Sequence, residues 1–396
     1  MSDLNALDVV IALALLASLV GGFRRGFWLG LALYAGAVGG LLLGARLAPD
    51  VVDRFDIMQP AVRQLVALLV ILGAGGVGGS LAMALVGPLR RRLLDRHLLG
   101  TLDNLLGAAL STTVTLAVIW LVALTLARGP VPLLARTIQQ SAVIRYLDQS
   151  APVPPSFIAR VQQILSGTLL PPVFAGLEPD LPSPSAPSPA AAATEGVQAA
   201  VNSTVRVEGT GCGGISTGSG FAVGDGLIVT NAHVVTGTGN TRVRTTNGRS
   251  AGATVVLFDP DRDLAILRVS GLDLPALAPG AARSGTQGAV IGYPGGGPLR
   301  ISPAVLEGRL ETRGRDIYSK RLVTRDIWAV TADVRPGNSG GPVVDEAGRF
   351  IGVVFAASVS NPGQAYALTV DEVAPSIQRA ASERAGIDTR TFACVR

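Results

Sequence analysis

Three short stretches in the second half of this 396-residue chain hold residue types that together can open an acyl bond. The first is Gly337-Asn-Ser-Gly-Gly-Pro342. A serine hydroxyl is a weak nucleophile at neutral pH and needs both an adjacent base and donors for the oxyanion that forms on attack. Glycines on either side of Ser339 permit a tight turn, which would aim the amides of Gly337 and Ser339 at one point as an oxyanion hole. The second is Thr230-Asn-Ala-His233-Val-Val235, which follows the apolar run Leu227–Val229 and so sets a histidine at a strand end, where a general base can reach a neighbouring loop. The third, Asp259-Pro-Asp-Arg-Asp-Leu-Ala-Ile-Leu267, offers three carboxylates, one of which must hold the histidine tautomer and stabilise the imidazolium. Asp263 directly precedes an apolar run and is expected to be buried, whereas Asp259 and Asp261 read as turn and surface residues. Taken singly, each stretch also has a plain structural reading: a Gly-Ser loop, a buried core histidine, a polar turn.

Few residues compete for these roles. The chain has two histidines, His97 and His233, and two cysteines, Cys212 and Cys394. No Cys/His cluster has zinc spacing, so neither a metal nor another cofactor is expected. The net charge of +5 is spread over the whole length, almost entirely as arginine, with Lys320 the single lysine. Without a basic run interleaved with aromatics, nucleic acid is not an expected partner.

Stepping outward from these residues, the first half reads as membrane. Apolar residues make up 48% of the chain and charged residues 15%, less charge than a soluble protein usually carries. Apolar stretches at about 8–22, 27–45, 64–87 and 105–127 approach or exceed the ~20 residues a helix needs to cross a bilayer. Small residues, including the run Gly73-Ala-Gly-Gly-Val-Gly-Gly79, suit close helix packing. The acidic start, Met1 to Asp8, does not fit a cleaved signal peptide, so the first stretch is expected to be retained. Arg24 and Arg25 in the first link, and Arg90, Arg91, Arg92 and Arg96 in the third, predict that those links are cytoplasmic. Everything after about residue 128 then lies outside. Residues 129–195 form an amphipathic and Pro/Ser/Ala-rich connection. In it Ile138, Val143, Ile144 and Leu147, and later Phe157 to Leu165, are placed along the membrane surface, and 179–194 is read as an extended linker open to proteolysis, self-cleavage included.

From residue 196 to 396 short alternating runs are broken by glycine. Among them are Ser203–Glu208, Leu227–Thr230, Leu264–Val269, Ala289–Tyr293, Trp328–Asp333 and Phe350–Phe355, and a closing helix at Asp371–Ala385 puts Val373, Ile377 and Ala381 on one face. The predicted fold is thus a four-helix transmembrane bundle over 1–128, then an all-β pair of six-stranded barrels.

The motifs carry a resemblance. Thr-Asn-Ala-His233-Val-Val, Asp263-Leu-Ala-Ile-Leu and Pro-Gly-Asn-Ser339-Gly-Gly-Pro closely resemble those of the HtrA/DegP-like trypsin-fold proteases, and the chain order His, Asp, Ser matches chymotrypsin-like enzymes. The whole layout looks like the MarP-like family of membrane-anchored actinobacterial proteases, in which a region similar to the colicin V production protein precedes the protease. The resemblance implies an extracytoplasmic (periplasmic) serine endopeptidase with His233, Asp263 and Ser339 as its triad, acting on envelope proteins and linked to acid and oxidative stress. The tail is too short for the PDZ domain that HtrA-like proteins usually add, so none is expected. By the same resemblance Asp333, six residues before Ser339, falls at the base of the S1 pocket, but Arg335 two residues later could neutralise it, and a structural ion pair or a turn-capping role is the favoured reading. Phe355, Ala356 and Ala357 fall on the strand that lines S1. An extracytoplasmic location makes a Cys212–Cys394 disulfide natural, with a redox-sensitive bond or free thiols as alternatives. The competing function is a membrane scaffold, or a colicin-V-production-like protein, whose protease-like domain is inactive or regulatory.

Overall fold

The computed structural model describes residues 5–54, 60–93, 97–127, 134, 137–138, 140–150, 173–174, 178, 186–358, 361 and 363–395. Four long helices come first: α1 (Ala6–Arg25), α2 (Phe27–Arg54), α3 (Pro60–Leu93) and α4 (His97–Leu126). Each contains a stretch of 20 to 26 residues with mean hydropathy between 1.7 and 2.3, enough to cross a bilayer. Large apolar side chains such as Leu13, Leu42, Leu85 and Leu105 point outward, as a lipid environment requires. Small residues let the helices approach closely: a Cβ added to Gly40 of α2 would lie 2.1 Å from the carbonyl oxygen of Ala74 on α3. Polar glue joins α1, α2 and α4, where the Ser18 hydroxyl lies 3.0 Å from that of Ser111 and 2.8 Å from that of Thr115, and Tyr34 Oη lies 3.0 Å from Ser111. Buried Asp103 of α4 accepts from the backbone N–H groups of Phe27 and Trp28, capping the start of α2 from across the bundle.

Helix α5 (Ala142–Ser150) follows. Ile138 and Ile144 are buried against protein, so they do not lie free along a membrane surface as their amphipathic spacing suggested. The second amphipathic piece, 157–165, lies outside the described residues.

The rest is two closed six-stranded antiparallel barrels. The first is ordered β1-β2-β3-β6-β5-β4, from β1 (Thr204–Gly211), β2 (Gly214–Gly224), β3 (Leu227–Thr230), β4 (Thr238–Arg244), β5 (Ser250–Asp259) and β6 (Leu264–Val269). The second is ordered β10-β11-β12-β9-β8-β7, from β7 (Gln287–Gly292), β8 (Arg300–Arg315), β9 (Leu322–Thr331), β10 (Pro342–Asp345), β11 (Phe350–Ala357) and β12 (Gln364–Thr369). Alternation along β1 buries Val205 and Val207 inside the first barrel with Ile228, Val243 and Leu267. Val290, Leu306, Val330 and Val354 fill the second. The short strands β3, β10 and β12 are buried throughout, because the barrels press against each other and against the closing helix.

Helix α6 (Glu195–Ala200) leads into β1 and α7 (Ala232–Val235) follows β3. Helix α8 (Val370–Ser382) closes the chain; the Thr369 hydroxyl caps it by accepting from Glu372 N–H, and Asp371 and Glu372 occupy its first turn. Its buried stripe is Val373, Ser376 and Ala380, with Ile377 packed at the edge and Ala381 exposed.

The connection before the barrels is less open than its composition suggested. Ala191–Ala193 forms a 3-10 turn with Ala191 and Ala192 buried, and Ser188 N–H donates to the side chain of Gln287 on β7. Alanine is small enough to fill gaps on a barrel surface, so this part of a Pro/Ser/Ala-rich stretch packs. Farther back, Val173 and Phe174 are also buried in the protease core, with the Phe174 ring edge-on to Tyr366 at 5.1 Å.

Candidate active site

Asp263 sits in a left-handed backbone conformation (φ 57°) at the end of a tight turn, which a short polar side chain tolerates. The turn is held by Asp259, whose carboxylate accepts from the N–H groups of Asp261 and Arg262, as expected for a turn-capping residue. Asp263 is fully buried, and its oxygens divide their work. Oδ1 accepts from the backbone N–H of His233 at 2.9 Å, and Oδ2 lies 2.7 Å from His233 Nδ1. Its backbone carbonyl accepts from Asn231 Nδ2 at 2.7 Å. This geometry makes Nδ1 the protonated nitrogen of a neutral ring and leaves Nε2 free as a base. The short helix α7, begun by Asn231 at the end of β3, presents the ring at the cleft.

Ser339 lies between β9 and β10 in a loop that folds back on itself: Asn338 N–H donates to the Arg335 carbonyl, and Gly341 N–H to that of Asn338. Gly337 has φ 97°, and a Cβ there would lie 2.4 Å from the Tyr293 carbonyl oxygen, so both its conformation and its space require glycine. His233, Gly337 and Ser339 line one cleft of about 600 Å³, together with Cys212, Gly295 and Val395.

The second barrel reaches over to hold the Asp263 turn. Buried Arg325 of β9 donates from Nε to the Asp261 carbonyl at 2.6 Å and from a terminal nitrogen to the Arg315 carbonyl at 2.8 Å, and its guanidinium lies over the Phe355 ring. Burial pushes its pKa down, opposed by the nearby negative charges of Asp263, Asp261, Asp259 and Asp316. Arg321 pairs with Asp261 at 2.6 Å, and Tyr318 Oη lies 2.8 Å from Thr236 Oγ1, just past α7. Burial raises the pKa of Tyr318, and raises that of Tyr293 to about 12, so both stay neutral across the physiological range. Sequence reasoning missed this clamp; a lone arginine in a strand carries no signal until its burial is known.

The residues expected in the substrate pocket stand elsewhere. The Asp333 side chain is 53% exposed and carries a two-pronged ion pair with Arg335 (2.9 and 3.1 Å), with Arg300 at 3.8 Å. A surface carboxylate neutralised by two arginines does not form the floor of a pocket, so Asp333 makes the ion pair that Arg335 suggested and not the S1 base that the resemblance implied. Phe355 and Ala356 are buried in the protein core, and neither lines the Ser339 cleft. Cys212 and Cys394 form a disulfide, with Cα atoms 5.7 Å apart, that ties the β1–β2 turn to the C-terminal segment beside the cleft. Among the described residues no group of His, Cys, Asp and Glu is arranged to hold a metal ion.

Residues 218–353 match the trypsin-like peptidase domain family, and residues 7–152 match the colicin V production protein family. The serine protease Rv3671c of Mycobacterium tuberculosis is 32% identical over 385 residues, spanning 94% of this chain and 95% of that protein. The mitochondrial serine protease HTRA2 of Drosophila willistoni is 36% identical over 177 residues, 43% of this chain and 39% of that one. A crystal structure of the active form of the Rv3671c protease superposes with a TM-score of 0.52 at 36% identity, covering 56% of this chain and 99% of the crystallised one.

Proposed function

We propose a function for a chain that belongs to the MarP-like family of serine proteases, in which a colicin V production region is joined to a trypsin-like peptidase domain. It is a serine endopeptidase with four helices suited to crossing a membrane. In our reading it cuts peptide bonds through an acyl-enzyme formed on Ser339. The observation that carries this is Asp263: a buried carboxylate bonded to both the backbone and the ring of His233, in the cleft that holds Ser339.

Held as the Nδ1–H tautomer, His233 takes the Ser339 hydroxyl proton on Nε2 while Oγ attacks the scissile carbonyl. Asp263 stabilises the imidazolium that results. The oxyanion is met by the N–H groups of Gly337 and Ser339, fixed before the reaction and therefore needing no reorganisation. The imidazolium then protonates the leaving amine, and the same base activates water for deacylation.

The arginine-rich first and third links support cytoplasmic placement of those links, and hence an extracytoplasmic protease domain. The disulfide is consistent with an oxidising compartment. We place the functional division at 1–128 for the membrane bundle, 129–195 for the connection and 196–396 for the protease, with the packed residues around Ala191 serving the protease. Envelope proteins are the proposed substrates, the connection is a proposed site of self-cleavage, and processing under acid or oxidative stress is the proposed role.

The reading is tested by adding the purified full-length protein in detergent, and its Ser339→Ala and Asp263→Asn variants, to an unstructured protein substrate such as casein. Cleavage by the wild type, abolished in Ser339→Ala and strongly slowed in Asp263→Asn, is the expected pattern. Equal cleavage by all three proteins would assign the activity to a contaminant, and no cleavage by any would favour a scaffold.

A further inference from the structure

We propose that Ser219 is a positioning residue for the oxyanion site: its buried hydroxyl holds the Gly337 loop in the orientation that turns the Gly337 N–H into the cleft. The proposal rests on the reading of Gly337 and Ser339 as the oxyanion donors.

Ser219 lies on β2 of the first barrel and is fully buried; its carbonyl accepts from the Thr230 hydroxyl of the same barrel at 2.7 Å, whereas its hydroxyl and its backbone N–H reach the second barrel. Its hydroxyl donates to the Gly337 carbonyl at 2.7 Å. It accepts from the Tyr293 N–H at 2.9 Å. Its backbone N–H donates to the Ser339 carbonyl at 2.8 Å. The roles of the hydroxyl are fixed by valence. The Tyr293 nitrogen only donates, so the single hydroxyl proton is left for the Gly337 carbonyl.

Those contacts close a ring of constraints around one peptide. Tyr293 precedes the turn Pro294–Gly296, and the Gly295 N–H of that turn donates to the Pro336 carbonyl at 2.7 Å. In a planar trans peptide the N–H points opposite to the C=O. With the Pro336 carbonyl held toward Gly295, the Gly337 N–H therefore points the other way. The next peptide is held by Ser219 through the Gly337 carbonyl. Both peptides flanking Gly337 are thus pinned, one directly by Ser219 and the other through a turn rooted at the residue whose N–H Ser219 accepts.

Such pinning matters because Gly337 has no side chain to restrict it. Its positive φ is one of several conformations open to glycine at little cost. A rotated peptide would aim a carbonyl at the reaction centre, where a negative charge must develop, and would remove a donor from it. The nucleophile's own glycine-rich motif allows the active conformation but does not select it. Selection comes from a serine more than a hundred residues earlier, on the other barrel. The contacts are buried, so losing the hydroxyl would leave the Gly337 carbonyl and the Tyr293 N–H without that partner, in a place shielded from solvent.

The test uses full-length protein in detergent and a Ser219→Ala variant, with active sites counted by stoichiometric phosphonylation so that any misfolded fraction drops out. Turnover per counted site on a fluorogenic peptide should fall about 100-fold with KM changed less than about 3-fold, as removal of an oxyanion donor does. The inhibition constant of a peptide aldehyde, which mimics the tetrahedral intermediate, should rise by the same factor. A merely structural role would lower the number of counted sites and leave both per-site values near wild type. Per-site turnover within 3-fold of wild type, or slowed turnover with unchanged aldehyde affinity, overturns the proposal. Wild-type protein that is not phosphonylated at Ser339 overturns the peptidase site itself, and this proposal with it.

Discussion

Replacing Arg325 with methionine should weaken the protein far more than the loss of a surface arginine. The side chain is buried on β9 and gives two hydrogen bonds to carbonyls, one on Asp261 and one on Arg315. Each orphaned buried carbonyl costs about 1–3 kcal/mol. The guanidinium also offsets the charge of buried Asp263, and removing one member of a buried charge arrangement costs about 3–5 kcal/mol because the other stays behind uncompensated. These terms overlap, and methionine refills most of the volume, so the expected net loss is about 3–5 kcal/mol. For a unit of roughly 200 residues this corresponds to a fall on the order of 10 °C in the midpoint of thermal inactivation. The assay is residual peptidase activity of full-length protein in detergent after brief heating through a temperature series, with Arg313→Met as the control on an exposed strand position. A midpoint within 2 °C of wild type would refute the claim that Arg325 carries buried charge compensation for the Asp263 turn.

Other expectations follow from the same contacts. Asp263→Asn puts an amide where a carboxylate fixes the His233 tautomer and should lower kcat about 10⁴-fold, read as turnover per active site counted by phosphonylation, so that any stability lost beside Arg325 does not enter the value. Cys394→Ser opens a loop with a sequence separation of 182, which the chain-entropy relation values at roughly 5 kcal/mol. Its thermal inactivation should match that of reduced wild type, and a variant indifferent to reductant at the wild-type midpoint would contradict the structural role. Phe174→Ala removes a buried ring packed on Tyr366 and should cost about 3–5 kcal/mol, which a truncation assay would reveal as lowered stability of any fragment beginning after residue 174. A fragment starting at residue 180 that is as stable as one starting at 170 would contradict it.

Much of the architecture was legible because its signals are local. Four uninterrupted apolar stretches declare a membrane bundle, and Leu227–Thr230 and Leu264–Val269 are short enough and apolar enough to be buried strands. The strands without such signals escaped notice. β8 carries Pro303, Gly308 and six arginine or glutamate positions in its 16 residues, with a register shift between Leu306 and Gly308, so it reads as loop. Its regularity comes from pairing with β7 and β9, which no window of sequence contains. The same limit applied to the site. The glycines around Ser339 and the acidic turn before β6 mark chemistry in the sequence, and the structure brings Asp263 and His233 within hydrogen-bonding distance. For Asp333 the ion pair with Arg335 was legible from their closeness in sequence, whereas the S1 role implied by its spacing fails because Arg335 and Arg300 hold it at the surface. Asp103, Arg325 and Ser219 act through partners 10 to 118 positions away, so their roles appear only with the fold.

Ser339 as the nucleophile is the claim from which the proposed chemistry follows. A fluorophosphonate applied to the full-length protein in detergent, followed by digestion and mass spectrometry, reads this in one step. The predicted result is a single phosphonylated peptide containing Ser339, absent in Ser339→Ala and formed orders of magnitude more slowly in His233→Ala. Labelling of another residue, or labelling at Ser339 that proceeds equally fast without His233, would contradict it.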